Sequence, residues 1–222
     1  MPFNAVSSSF YDWAKTREQW DHLDAQLVRA ARPYTAVEST IGYDFRDKGF
    51  LLKAFTHGSF PAGARIVPGF MRPLDFMGDA VLEQLLTVHL YGCVDPLAPK
   101  ALHESRQRTE CDRFLGFVVA HYGMHKLLRY ASPSLSEDIV QYVRMLRDGE
   151  YPGFRAQAPP KPLADLFESL AAAVYLDSDQ NLAKVYRSLF PLLRRQIDTA
   201  LNRIASIAEE SNGTSHSDAS SE

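Results

Sequence analysis

The 222-residue chain contains only two cysteines, Cys93 and Cys111, and neither has a close partner at metal-ligand spacing. A disulfide framework is thereby excluded, and buried free thiols in a reducing compartment are expected. No window approaches the ~18 uninterrupted apolar residues of a membrane span, so no association with the bilayer core is expected. The opening MPFNAVSSSFYDW has no basic start followed by a long apolar run, so no secretory signal is read. Asp12, Glu18, Asp21 and Asp24, mixed with Lys15, Arg17, Arg29 and Arg32, argue against an organelle transit peptide. The expected location is intracellular, cytoplasmic or nuclear, with an organelle left open. Positive charge is scarce too. The formal net charge is −3, and residues 207–222 hold four acids and no Lys or Arg, so the rest of the chain carries +1. Such a balance does not grip nucleic acid by charge alone; local clusters, metal or a partner would have to supply affinity.

What is present is ordinary globular composition, 45% hydrophobic and 23% charged, at a length that supports one full core. The segment Phe10 to Ala31 places Trp13, Trp20, Leu23, Leu27 and Ala31 at spacings of three, four and seven, an amphipathic helix ended by Pro33. From Ala36 the text is helical almost throughout. Breaks at Pro61 to Gly69, Pro96 to Pro99, Pro133 and Tyr151 to Pro162 delimit helices near Lys48–His57, Pro73–Tyr91, Ala101–His121, Ser136–Arg147, Leu163–Ser178 and Leu182–Ile207. The fold class is all-α. After Ala208 the Ser, Asn, Gly and Asp content reads as a disordered tail. The domain boundaries expected are 1–35 for a helical extension, 36–206 for the main domain and 207–222 for the tail.

Two acidic pairs carry the chemistry. RPLDFMGDAVLEQLL holds Asp75 and Asp79 four apart, on one helix face, among Leu74, Phe76, Met77, Val81 and Leu82. KPLADLFESLAAAVYL holds Asp165 and Glu168 three apart on a helix too apolar and Ala-rich for a surface. Like charges at these spacings repel, and desolvation raises the cost, so something positive is expected nearby. Hard divalent cations answer that need, because Mg²⁺ and Mn²⁺ take carboxylate oxygens while keeping waters for a substrate phosphate. Four carboxylates without His or Cys suit phosphate chemistry better than zinc chemistry.

At these residues the chain resembles ribonuclease III, and more closely the second ribonuclease III domain of Dicer-like proteins. RPLDFMGDAVL is similar to the family signature E-x-L-E-F-L-G-D-A/S-V-L, KPLADLFESLAAAVYLDS to the second conserved helix, and IGYDFRDKGFLLKAFTHGSF to the family's opening. The similarity runs from about Val37 to about Arg195. It implies an all-helical ribonuclease III-type endonuclease domain, here with an added N-terminal helix. Such a domain dimerises, lays double-stranded RNA across a valley between subunits, and leaves 5′-phosphate ends. By position, Asp75, Asp79, Asp165 and Glu168 would hold Mg²⁺, with Mn²⁺ an alternative, and Asp79 and Glu168 would serve catalysis. Lys161 would stabilise the scissile phosphate, and Arg106 with Lys161 would contact RNA. The implied partner is double-stranded or structured RNA, and the assembly a homodimer or one half of a heterodimer.

The chain also departs from the family. Asp75 stands where the family has Glu, so a direct Mg²⁺ ligand would fall short by about 1 Å, which implies reduced activity or a preference for Mn²⁺. In SRQRTECDRFLG, Arg106 matches while Thr109, Glu110, Cys111 and Asp112 do not, and no double-stranded RNA-binding domain is read after the main domain. These departures motivate a second reading, a catalytically weak or inactive RNA-binding or assembly subunit. His57 and Ser59 are expected to hold a helix end, and Phe76 and Met77 to pack in the core or a subunit interface. Glu83 extends the Asp75–Asp79 row by one turn.

Overall fold

The computed structural model describes residues 24–67, 69–93, 112–147, 158–194 and 197–198. Among them the regular elements are α1 (Asp24–Ala31), α2 (Thr35–Ile41), α3 (Lys48–Ala54), α4 (Arg72–Cys93), α5 (Asp112–His121), α6 (Pro133–Arg147) and α7 (Lys161–Asp177). Short 3₁₀ turns lie at Arg32–Tyr34, Ala62–Ala64 and Met124–Leu127. Residues 182–194 form a further helix, α8. No strand occurs among the described residues; one isolated bridge pairs Thr56 with Arg129. The all-α expectation is met, and no described helix is long and apolar enough to cross a membrane. Arg106, both tryptophans and residues 207–222 lie outside the described residues.

Helix α7 is the axis of the core. Leu163, Ala164, Leu166, Phe167, Leu170, Ala171, Ala172, Ala173 and Val174 are all fully buried on it. A helix apolar all round must be covered on every side, and α4, α5 and α3 pack against it. Two glycines set how closely. A Cβ on Gly78 of α4 would sit 1.8 Å from the carbonyl oxygen of Glu168, so the two helix backbones touch there. A Cβ on Gly116 of α5 would come 2.6 Å from Cγ of Pro159, just before α7 begins. Ser169, buried on α7, also donates its hydroxyl to the carbonyl of Met71, anchoring the start of α4 (3.1 Å).

Local chemistry moves several boundaries from their expected places. The chain does not simply stop its first helix at Pro33: Arg32–Tyr34 makes a 3₁₀ turn, with Pro in the first turn where its missing N–H costs nothing, and α2 follows. Gly42, at φ +62°, ends α2 in the left-handed region. α3 begins at Asp47, whose carboxylate accepts Gly49 N–H (2.8 Å), and stops at Ala54 rather than His57. The reason is tertiary pairing: Arg129 N–H donates to Phe55 O (2.8 Å) and His57 N–H donates to Arg129 O (2.9 Å). Ser59 Oγ then accepts Ala131 N–H (3.1 Å), so the THGS turn ties the end of α3 to the approach to α6. Asp177, buried at the end of α7, accepts from Tyr43 OH and from the backbone N–H of Arg46 and Asp47.

Because a methyl group at position 78 would have to displace a helix backbone, Gly78→Ala is expected to destabilise the fold by about 3 kcal/mol or more. Gly92, late in the same helix with open space around it, provides the control. There, alanine is expected to be neutral or to gain up to about 1 kcal/mol, read by chemical denaturation.

Candidate active site

The contact at Gly78 places the first turns of α4 beside the first turns of α7. A cavity of about 400 Å³ opens at this junction, lined by Arg72, Asp75, Phe76, Asp79, Asp112, Lys161 and Glu168. Three of the four expected acids therefore share one cavity. Asp165, the fourth, does not line it. Its carboxylate is held at 2.5 Å by Lys161 one turn earlier on the same helix. Asp79 is exposed, contrary to the core-side position its apolar neighbours suggested, because α4 turns only Leu74, Val81 and Leu82 inward there. Phe76 is 84% exposed on the rim, while Met77 packs partly against the core.

The electrostatics show a group of acids without enough positive charge among them. Burial, then the charges of Asp165 and Asp79, push Glu168 up to about 7, with Lys161 opposing. Burial also raises the Asp75 carboxyl, opposed by the hydrogen bond from Phe76 N–H, which donates to its Oδ1 at 2.5 Å. The hydrogen bond to Asp165 raises the Lys161 ammonium despite burial. His57 is lowered by burial, with Asp165 acting in the other direction, which sets the THGS turn electrically beside the site.

Oxygen-only donors, one of them a buried carboxyl that keeps its proton to near neutrality, fit a hard divalent cation. As the side chains stand, no group of three His, Cys, Asp or Glu among the described residues is close enough to hold an ion. Asp165 is turned to Lys161, and the short Asp75 side chain is engaged by its own helix backbone. Sequence reasoning placed Asp112 among the departures and gave it no part in the site, yet it lines the cavity. The signal that could have found it was Gly116, four residues on in an apolar helix, where a side chain is missing because another backbone passes close. Glu83 is exposed a turn beyond the cavity lining.

Residues 72–179 match the family model described as Ribonuclease III domain. Endoribonuclease Dcr-1 of Drosophila melanogaster is 32% identical over 193 residues, 81% of this chain and 8% of that protein. Endoribonuclease Dicer of Danio rerio is 31% identical over 207 residues, 85% of this chain and 11% of its own length. Endoribonuclease Dicer homolog 2 of Arabidopsis thaliana is 34% identical over 161 residues, 71% and 12%. The chain thus spans only 8–12% of the length of these relatives. Two solved structures of the nuclease domain of ribonuclease III from Campylobacter jejuni share the fold, with TM-scores of 0.55 and 0.53 at 19% identity. They cover 73% of this chain and 96% and 94% of theirs.

The raised Glu168 carboxyl makes a pH prediction. Folded, it keeps its proton to about pH 7; unfolded, it loses it near 4.5. The folded state then binds more protons across that window, so the metal-free protein is expected to lose stability as pH rises from about 4.5 through 7. Glu168→Gln should flatten that slope by on the order of 2 kcal/mol, solvent screening in the open cavity included, as read from denaturation midpoints in chelator.

Proposed function

The chain belongs to the ribonuclease III family, and on that footing we propose that it is a metal-dependent endoribonuclease that hydrolyses phosphodiester bonds of double-stranded or structured RNA, giving 5′-phosphate ends. The observation that carries the reading is the cavity at the crossing of α4 and α7, which Asp75, Asp79 and Glu168 line together, with the Asp165–Lys161 ion pair alongside. Mg²⁺, or Mn²⁺, held by these four carboxylates would supply a more acidic water and neutralise charge on the phosphodiester. The protein's own groups do the rest. Asp79 and Glu168, on facing helices of the cavity, would hold the cation and with it orient the phosphate. Glu168, on the cavity wall beside Lys161, would orient the attacking water together with the cation. Lys161, 68% exposed at the start of α7, is placed to meet the phosphate with positive charge.

Within the same proposal, Phe76 is a subunit contact. An aromatic ring 84% exposed beside the cavity, with Val88 and Tyr91 exposed further along α4, fits burial against a second copy. The dimer is a homodimer in this reading, with a heterodimer as the variant. Contacts of Arg106 and Lys161 with RNA, the boundaries 1–35, 36–206 and 207–222, and an intracellular setting belong to the proposal as well.

Purified protein incubated with labelled duplex RNA and Mg²⁺ or Mn²⁺ is expected to cut it. An Asp79→Asn/Glu168→Gln double variant is expected to fall by about a thousandfold or more, since both hold the cation. Equal activity in the two proteins, or none in either, would remove the enzyme reading and leave an RNA-binding or assembly subunit. Asp75→Glu, which restores one methylene of reach, should raise the Mg²⁺-supported rate about tenfold and the Mn²⁺-supported rate less, because Mg²⁺ is the stricter about distance.

A further inference from the structure

Lys161 is already committed before any cation arrives: its ammonium lies 2.5 Å from Asp165 Oδ1. If Asp165 is to serve a divalent cation, that ion pair must open, because a carboxylate drawn to a doubly charged ion is no longer free to hold the lysine in the same place. An ammonium left without an anion on a flexible four-carbon stem swings into solvent. The structure offers a second anchor. Asp112, the first residue of α5, lines the cavity together with Lys161. It is brought there by the close approach of Gly116 to Pro159, which seats the first turn of α5 over the start of α7. Asp112 acts on the lysine as well as on the acids: among the charges that favour the Lys161 ammonium it ranks behind Asp165 and ahead of Glu168. On Glu168, Asp112 acts less than Asp165, Asp79 and Lys161 do.

We propose that Asp112 is a positioning residue, the carboxylate that holds the Lys161 ammonium over the cavity once a divalent cation has claimed Asp165. The inference rests on the nuclease reading and adds a residue that acts on the phosphate only through Lys161. It also gives a use to an acid that, facing an RNA backbone by itself, would only repel it.

A double-variant comparison tests this, with cleavage of duplex RNA as one readout and the Mg²⁺ concentration at the midpoint of cation-induced thermal stabilisation as the other. Asp112→Asn is expected to lower kcat about tenfold with KM changed less than about twofold, and Asp112→Glu to keep most of the rate. In a Lys161→Met background, Asp112→Asn should cost nothing further, the non-additivity of two residues acting as one unit. The Mg²⁺ midpoint of Asp112→Asn should stay within about twofold of the parent, while Asp165→Asn raises it about tenfold or more, since only the latter removes a ligand. An equal loss from Asp112→Asn with or without Lys161, or a Mg²⁺ midpoint raised about tenfold by Asp112→Asn, would overturn the inference while leaving the nuclease reading intact. Parent protein that is stabilised by Mg²⁺ yet cuts no duplex would overturn the nuclease reading itself.

Discussion

The site exists because position 78 has no side chain. With the Gly78 Cα against the carbonyl oxygen of Glu168, α4 and α7 cross at backbone contact, closer than any pair of helices separated by side chains could approach. The acids sit within one turn of that crossing: Asp75 and Asp79 flank Gly78, the touching carbonyl is that of Glu168 itself, and Asp165 lies three residues before it. A wider crossing would separate the two acidic pairs by the thickness of an apolar layer and leave each as an ordinary charged face. Ser169 fixes the same junction from the next residue by bonding to Met71 O, so the start of α4 cannot slide along α7.

This geometry costs electrostatic energy. Glu168 is only 8% exposed, and the nearest opposite charge, Lys161, is already given to Asp165. A buried carboxylate in that setting keeps its proton, which is what its elevation to about 7 expresses. Buried acids elsewhere in the domain are placed differently. Asp177 is satisfied by three donors at the far end of α7, and Glu38 accepts Phe45 N–H and the Lys48 ammonium in the core of the opening turn. These carboxylates show the alternative: when stability alone is at stake, this fold gives a buried acid its partners. Near the cavity it does not.

Much of this was legible in the sequence, and the boundary of legibility is physical. Acids at i, i+4 and i, i+3 inside apolar, helix-period text pointed to α4 and α7 because the cost of burying charge is a local property that spacing reveals. The apolarity of LAAAVYL likewise announced a helix covered on all sides. What spacing cannot carry is distance between segments. Gly78 and Gly116 look like weak points in their helices until the backbone that each admits is known. Asp112 reads as a mismatch within its own segment, and only the packing of α5 on Pro159 brings it to the cavity that Lys161 also lines. Asp79 was expected near the core from its neighbours, but a helix that packs through a glycine buries a narrower stripe than one that packs through leucines. α2 escaped delimitation because it is seven residues long and gains its place from Val37 and Ile41 in the core rather than from strong periodicity.

The ion pair between Lys161 and Asp165 ties these observations together. Without a cation, the chain neutralises its own site in part, by turning one of the four acids toward a lysine of its own helix. The carboxylates then stand too far apart for three to meet on one ion. That arrangement offsets part of the repulsion within an acid-rich cavity, and on the metal-dependent reading it would set a threshold for occupancy, because an entering ion would compete with an ammonium already in contact. On the metal-dependent reading, a doubly charged ion would be better suited to that competition than a singly charged one, since its Coulomb attraction to the carboxylates scales with its charge. The short Asp75 pushes in the same direction. Its oxygen is engaged by Phe76 N–H, so a cation must either reach it through a water or draw it away from the helix. On the metal-dependent reading proposed above, both features would make cation binding depend on rearrangement of side chains over the backbone contact at Gly78.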